Sequence, residues 1–270
     1  KTGQSLPDRY VKYNRLQRMN YYAVTALLAR ISLYRGNYTM AARYALEVIN
    51  SGKFRFIRSN EIEQTDAYGV IQKQDRLFEP EMIFALNTDN ILSVSRSYYE
   101  GLTQDFVKST HAYADGDVRT VWFFANPSAG GKINMVRYER STQVADSKKY
   151  GDPVVPMLKL SEMYLIAAEC GLHNTSTGID ARAVLNELKR ARGAAEIGVS
   201  ASPSDLRREI THEYICDFKG EGQLFYYYKR MNMTAVDDGN YNGNTIAVPA
   251  DAYTLPLPEY EKQFGYGQNR

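Results

Sequence analysis

Alanine at helical spacing constrains this chain more than any other feature. Between residues 18 and 52, Tyr21, Val24, Leu28 and Ile31 recur about one turn apart, with Leu27 and Tyr34 beside them. Ala23, Ala26 and Ala29 fall between them and are small enough to let another helix approach. Arg35-Gly36-Asn37 breaks the pattern. A second helix follows from about Tyr38, with Ala41, Ala45 and Val48 on one stripe and Ala42 and Ile49 flanking it. Asn50-Ser51-Gly52 ends it, because glycine takes the left-handed cap conformation without strain. Gly36-x-Tyr38-x-x-Ala41-x-x-x-Ala45 matches the middle of a tetratricopeptide unit. A lone hairpin of this kind cannot bury its apolar face, so neighbouring helices are required.

The rest of the chain reads less evenly. Helical periodicity fades from about 60 to 155. Glu81 to Leu86 reads as a short buried strand. Val118 to Ala125 is rich in β-branched and aromatic residues, and Ile133 to Tyr138 pairs back on it across the turn cluster Asn126 to Gly131. Residues 156–172 form a helix that is apolar nearly all round and therefore buried. The next helix spans Asp180 to Arg192 and stops at Gly193. Another starts at Ser202-Pro203-Ser204-Asp205, a capping serine followed by proline at the first helical position. Leu224 to Tyr228 is a short aromatic helix, and the tail from Asp237 is loop-like. The expected fold is mainly α: tetratricopeptide-like hairpins packed against an irregular, loop-rich region with a few short strands. One unit spans 1–270, divided into the hairpin at 18–52, the irregular region at 53–155 and C-terminal helices and tail at 156–270.

Composition excludes some functions. A net charge of +2 over 270 residues is too small for a nucleic-acid binder, which carries a strong basic stripe. No segment reaches the roughly 18 uncharged apolar residues that span a bilayer. The first residues show no apolar stretch behind a basic head, so no signal peptide is visible. Cys170 and Cys216 read as small buried residues, not a disulfide framework. The chain has 22 tyrosines, many of which must serve the core, and a surplus at the surface is the feature to look for. A flat apolar face with a hydroxyl suits a ligand such as a sugar, which has apolar faces and hydroxyls of its own.

Candidate chemistry is sparse. Glu162 and Glu169 are two turns apart on one helix face, but their axial separation of roughly 10 Å exceeds that of a hydrolytic carboxylate pair. Buried carboxylates need cationic partners, and Arg182, Lys189, Arg190 and Arg192 on the following helix are the expected ones. His212-Glu213-x-x-Cys216 lacks the second histidine of a zinc-protease helix. Gly130-Gly131-Lys132 lacks the spacing of a phosphate loop, and Asp115-Gly116-Asp117 lacks enough oxygen ligands for calcium. Lys189-Arg190-x-Arg192 reads as a solvated or paired helix face. No metal site and no cofactor is expected. The aromatics of the irregular region offer stacking planes: Trp122, Tyr98, Tyr99, Tyr113 and Tyr138, with Arg96 and Asn126 as hydrogen-bonding neighbours.

In this order the segments resemble the SusD/RagB family. Tyr22 to Phe54 is similar to its alanine-rich hairpin, and Glu81 to Leu86 to its "E-x-IFA" strand. Asp117-x-Arg119 before Val121-Trp122-Phe123-Phe124 resembles "D-x-R … FF". Pro156 to Glu169 resembles "P-x-x-R-x-x-E-x-Y-L-x-x-A-E", with Lys159 at the arginine. Asn186 to Gly193 resembles "LN-x-x-R-x-R-x-G". Glu213, Glu221-Gly222 and Lys229-Arg230 follow "ER-x-x-E … EG-x-R-x-x-D-x-x-R", and Leu255 to Glu261 the closing "P-I-P-x-x-E". Three positions depart: Tyr214 and Leu224 stand at arginines, and Tyr227 at an aspartate.

The resemblance implies noncatalytic capture of an oligosaccharide at the outer membrane. It also implies hand-over to a TonB-dependent outer-membrane transporter, which the helical hairpins face. Membrane attachment would be through a lipid anchor on a segment not in this chain, and earlier helical hairpins of the family fold are likewise expected outside it. Peptide capture, a helical interaction scaffold and a carboxylate-based glycosidase are the alternatives.

Overall fold

The computed structural model describes residues 18–88, 90–99, 116–125, 134–139, 154–237 and 245–263. The alanine-rich hairpin forms as α1 (Tyr21–Tyr34) and α2 (Tyr38–Asn50). Asn20 caps α1 by accepting from the Ala23 amide at 3.0 Å, and Asn37 caps α2 through the Met40 amide at 3.1 Å. Asparagine suits both places because its side-chain oxygen satisfies an amide that the helix leaves open.

The hairpin buries its small face. Ala23, Ala26, Ala29, Ala41, Ala42, Ala45 and Val48 pack with Met163, Ile166 and Ala167 of a third helix. Tyr21, Val24, Leu28 and Ile31 remain 68%, 46%, 37% and 44% exposed. The large apolar stripe of α1 is thus its outer face, because alanine permits the closer helix approach. Ala26→Leu is expected to lower stability by about 1–3 kcal/mol through overpacking. Leu28→Ala should cost far less, and urea unfolding midpoints read the contrast.

The third helix, α6 (Leu160–His173), is the centre of the molecule, with most of its residues buried. It touches α2 on one side and α7 (Ala181–Arg192) on the other. Beyond α7 lie α8 (Pro203–Phe218) and α9 (Leu224–Met231), whose inner faces share a core with Leu165 and Ala168. The expected caps are present: Asp180 and Gly193 bound α7, and Ser202 with Asp205 forms a capping box on α8. Gly193 has φ 71°, and a Cβ there would lie 2.5 Å from the Gly116 carbonyl oxygen, so only glycine fits.

The intervening region contains α3 (Ser59–Ile62), β1 (Glu63–Thr65), β2 (Ile71–Gln74), β3 (Met82–Asn87), α4 (Ile91–Tyr99), α5 (Val118–Phe123), β4 (Phe124–Ala125), β5 (Asn134–Met135) and β6 (Val154–Lys159). β3 pairs antiparallel with β6, Ala85 opposite Pro156 and Met82 opposite Lys159. The stretch from Pro156 to Lys159, expected to open the helix, is therefore strand, and α6 begins only at Leu160. Residues 118–123, expected to be extended, are helical because the Asp117 side chain caps them through the Arg119 amide. Among the described residues, Phe124–Ala125 pairs with Asn134–Met135 as expected. The tail holds a hairpin of β7 (Ala235–Asp237) and β8 (Thr245–Ala247), then α10 (Glu259–Gln263). Among the described residues no helix is long and apolar enough to cross a membrane.

Candidate ligand-binding site

Any catalytic reading must begin with the carboxylates, and the structure engages them in ion pairs. Glu162 is gripped by Arg30 of α1, Nε to Oε1 at 2.6 Å and Nη2 to Oε2 at 2.7 Å. Glu169 is held in the same two-pronged way by Arg230 of α9, at 2.5 and 2.8 Å. The partners expected on the following helix are not the ones used. Arg182 is half-buried and Arg190 exposed, and they pair with Asp180 and Glu196, while Lys189 and Arg192 turn inward.

A second group of charges is sealed from solvent. Arg119 donates to Asp117 at 2.6 Å, Glu213 at 2.8 Å and Asp217 at 3.4 Å. Arg192 donates to both oxygens of Glu81 at 2.6 Å and to Asp217 at 3.0 Å. Lys159 donates to Asp217 and Glu221, each at 2.9 Å, and Arg137 pairs with Glu221. Ser161 adds a hydroxyl to Asp217 at 2.5 Å. All of these residues are buried. They come from β6, α5 to α8 and the turns at 79–81, 137 and 221, so the cluster pins the irregular region to the helices.

Burial pushes the Asp217 carboxyl up, but the Arg192, Lys159 and Arg119 charges outweigh it and hold the group well below the carboxylate range. Glu213 is likewise opposed by burial yet lowered by Arg119. Glu221 moves the other way, raised by burial. A lowered carboxylate contributes stability above its unfolded pKa and loses it as pH falls through the folded one. Glu221 acts with the opposite sign. Asp75, raised to about 6 by burial, likewise opposes, so stability gains as pH falls from about 7 toward about 4. The loss from Asp217, the group held well below the ordinary range, is read below about 4, the ordinary carboxylate value, where the unfolding midpoint should fall. Urea titrations on either side of that value read this directly.

Glu209, His212 and Glu213 present ligand atoms within 4.8 Å of one another. The Lys189 ammonium lies 2.7 Å from Glu209 and 3.6 Å from Glu213, so a cation already occupies the place a metal would take. Cys170 and Cys216 are buried free thiols.

The sites open to a ligand lie elsewhere. One is a cleft of about 330 Å³ between α4 and the turn leading into α9. Ile91, Val94 and Ser95 form one wall; Gly220, Gly222, Leu224 and Phe225 form the other. The Ser95 hydroxyl is buried and takes no hydrogen-bond partner among the described residues. Phe225 is 36% exposed and is braced by Tyr226 and Tyr253.

The aromatic and polar residues singled out in the sequence are placed as follows. Arg96, Tyr98 and Tyr99 belong to α4, the helix that walls this cleft, but their side chains lie outside the described residues, as do Tyr113 and Asn126 entirely. α4 runs beside β5, which pairs with the strand following Trp122. Trp122 itself is half-buried against the core cluster that includes Ile62, Phe78 and Phe123. Tyr138 is 4% exposed and donates its hydroxyl to the Gly220 carbonyl at 3.0 Å, so its ring braces the cleft from within and offers no face to a ligand. Sequence reasoning missed Ser95 and Phe225. Glycines on both sides of the turn before Phe225 were the available signal.

The profile of the SusD family matches residues 80–256, more than half of the chain. The chain belongs to the SusD family. Comparison with curated proteins finds no match. Solved structures share the fold. A SusD superfamily protein from Parabacteroides distasonis superposes with TM-score 0.66 at 17% identity, over 93% of this chain and 62% of that one. Surface glycan-binding protein A from Bacteroides thetaiotaomicron, in complex with laminarihexaose, gives 0.64 at 18%, over 94% and 64%. A SusD-like carbohydrate-binding protein from Bacteroides vulgatus gives 0.60 at 20%, over 86% and 49%. This SusD-family chain thus spans between about half and two thirds of the length of those structures. Its family motifs now have a physical role. Glu81, Asp117, Arg119, Lys159, Arg192, Glu213 and Glu221 meet in the sealed charge cluster, and Glu169 with Arg230 closes a separate pair.

Proposed function

We propose that this chain binds an oligosaccharide at the cell surface without cleaving it, using the α4 cleft. The observation that carries the reading is that Glu162 and Glu169, the carboxylate pair singled out for hydrolysis, are each held by a guanidinium. A carboxylate fixed in that way is neither a free general acid nor a free nucleophile. Membership of the SusD family supports the reading, as does a relative of the same fold that holds laminarihexaose. The cleft offers one aromatic face, an unengaged hydroxyl and glycine backbone, which is the mix a sugar chain requires: stacking on C–H faces and hydrogen bonds to hydroxyls. Outer-membrane attachment through a lipid anchor, and delivery to a TonB-dependent transporter, complete the proposal and rest on the family. Trp122 is the single tryptophan and lies near α4, so its emission reports on the region. Titration with laminarihexaose and other neutral oligosaccharides should change that emission saturably for at least one of them. Silence from every oligosaccharide, with calorimetry equally silent, rejects the proposal. Saturable binding of short peptides in its place would favour peptide capture.

A further inference from the structure

The α4 cleft has an electrostatic character that its apolar lining hides. α9 begins on its wall: Gly222, Leu224 and Phe225 line the cleft, and Leu224 is the first residue of the helix. The opening amides of a helix have no partner within it. Gln223 stands at the cap position without a side-chain cap, and the first turn carries no acidic residue. The amides of Gly222, Gln223, Leu224 and Phe225 take no hydrogen bond among the described residues. Gly222 has φ 71°, and Gln223 has φ −86° and ψ −23°. A left-handed residue followed by a right-handed one turns consecutive amides toward one side. On the facing wall, Ser95 is 4% exposed, and its hydroxyl is without a partner among the described residues. We propose that the α4 cleft takes the acidic group of a sugar, a carboxylate or a sulfate, with the α9 amides and the Ser95 hydroxyl as its donors.

A compact oxyanion matches this donor set. Amides only donate, and a carboxylate or sulfate accepts several hydrogen bonds at once, whereas a sugar hydroxyl spends part of its capacity as a donor. The partial positive charge at the start of a helix acts in the same direction. Ile91, Val94 and Leu224 surround the place with apolar surface, where such an attraction is less screened than in water. The space beside Gly222 is open, so the ligand reaches the backbone. The nearest acids leave no bare charge to repel it. Glu221, between the two glycines of the wall, is buried and held by Lys159 at 2.9 Å and by Arg137. Asp217 is held by Arg192 and Lys159. Phe225 offers a ring to the C–H face of the same residue, which makes the ligand an acidic sugar and not an inorganic ion.

This assignment rests on the oligosaccharide reading of the cleft and names the class of sugar, yet the two fail separately. Amide NMR of the whole chain tests it, with D-glucuronate, glucose bearing a single sulfate, plain D-glucose and sodium sulfate added in turn at fixed ionic strength. At least one acidic sugar should shift the amides of residues 222–225 saturably, and glucose should not. Ser95→Ala should weaken that Kd about tenfold, the loss of one hydrogen bond to a charged group. Gln223→Asp, which sets a capping carboxylate on the same amides, should abolish the response and keep the helix. No shift from either acidic sugar overturns the proposal, as does an equal response to glucose or one that both variants leave unchanged. Sodium sulfate binding as tightly as the sulfated sugar overturns the assignment to a sugar. If oligosaccharides bind and both acidic sugars fail, this inference alone falls. If acidic sugars bind at these amides and no oligosaccharide does, the oligosaccharide reading falls instead.

Discussion

Arg119→Met should leave a chain that no longer folds cooperatively. The methionine fills a similar volume, so the loss is electrostatic and not a cavity. Arg119 is fully buried and donates to Asp117, Glu213 and Asp217. Removing it strands negative charge in a medium that solvates it poorly, and breaking a buried pair from one side costs about 3–5 kcal/mol. That is a large share of the roughly 5–15 kcal/mol by which domains are stable. Asp117 also caps α5, so the loss extends to the Trp122 segment. Circular dichroism should show reduced helix or a broad transition, and the Trp122 emission should shift to the red. An intact, sharp transition within 1 kcal/mol of the parent, on the order of a surface substitution, would show that the cluster does not hold the fold.

Phe225→Ala should do the reverse: preserve the fold and remove binding. Phe225 is partly exposed on α9 and contacts Tyr226 and Tyr253 at 5.5 and 6.0 Å, ring centre to ring centre. Those neighbours hold its ring in place, so little entropy is lost when a sugar stacks on it. Aromatic residues of this kind contribute about 2 kcal/mol or more where they dominate an interface, roughly a thirtyfold loss of affinity on truncation. The urea midpoint should move little, since the ring leaves no sealed void behind. Unchanged affinity in the folded variant would remove Phe225 from the site.

Much of the helical frame was legible because it is written in local signals. Arg35-Gly36-Asn37, Ser202-Pro203 and Gly193 mark helix ends by chemistry that acts within a few residues, and the structure places the ends there, whereas the Asn20 cap went unread. Which face of α1 is buried was not legible. The helix is apolar on both its alanine side and its Tyr21–Ile31 side, and only tertiary packing selects the smaller residues. Residues 118–123 misled because β-branched propensity is a weak prior that one capping aspartate overrides. The partners of Glu162 and Glu169 were hidden for another reason. Arg30 and Arg230 are more than fifty residues away in sequence, and nothing local announces a contact closed by the fold. The α4 cleft is of the same kind, assembled from a helix near residue 95 and a turn near 222.

Holding without cleaving is decided by following the sugar itself. An oligosaccharide shown to bind is incubated with the chain overnight at neutral pH, and reducing ends are counted against a protein-free control. The ion-paired carboxylates predict a count equal to the control and full recovery of the intact ligand. New reducing ends that grow in proportion to the protein added would contradict the assignment of these carboxylates to structure.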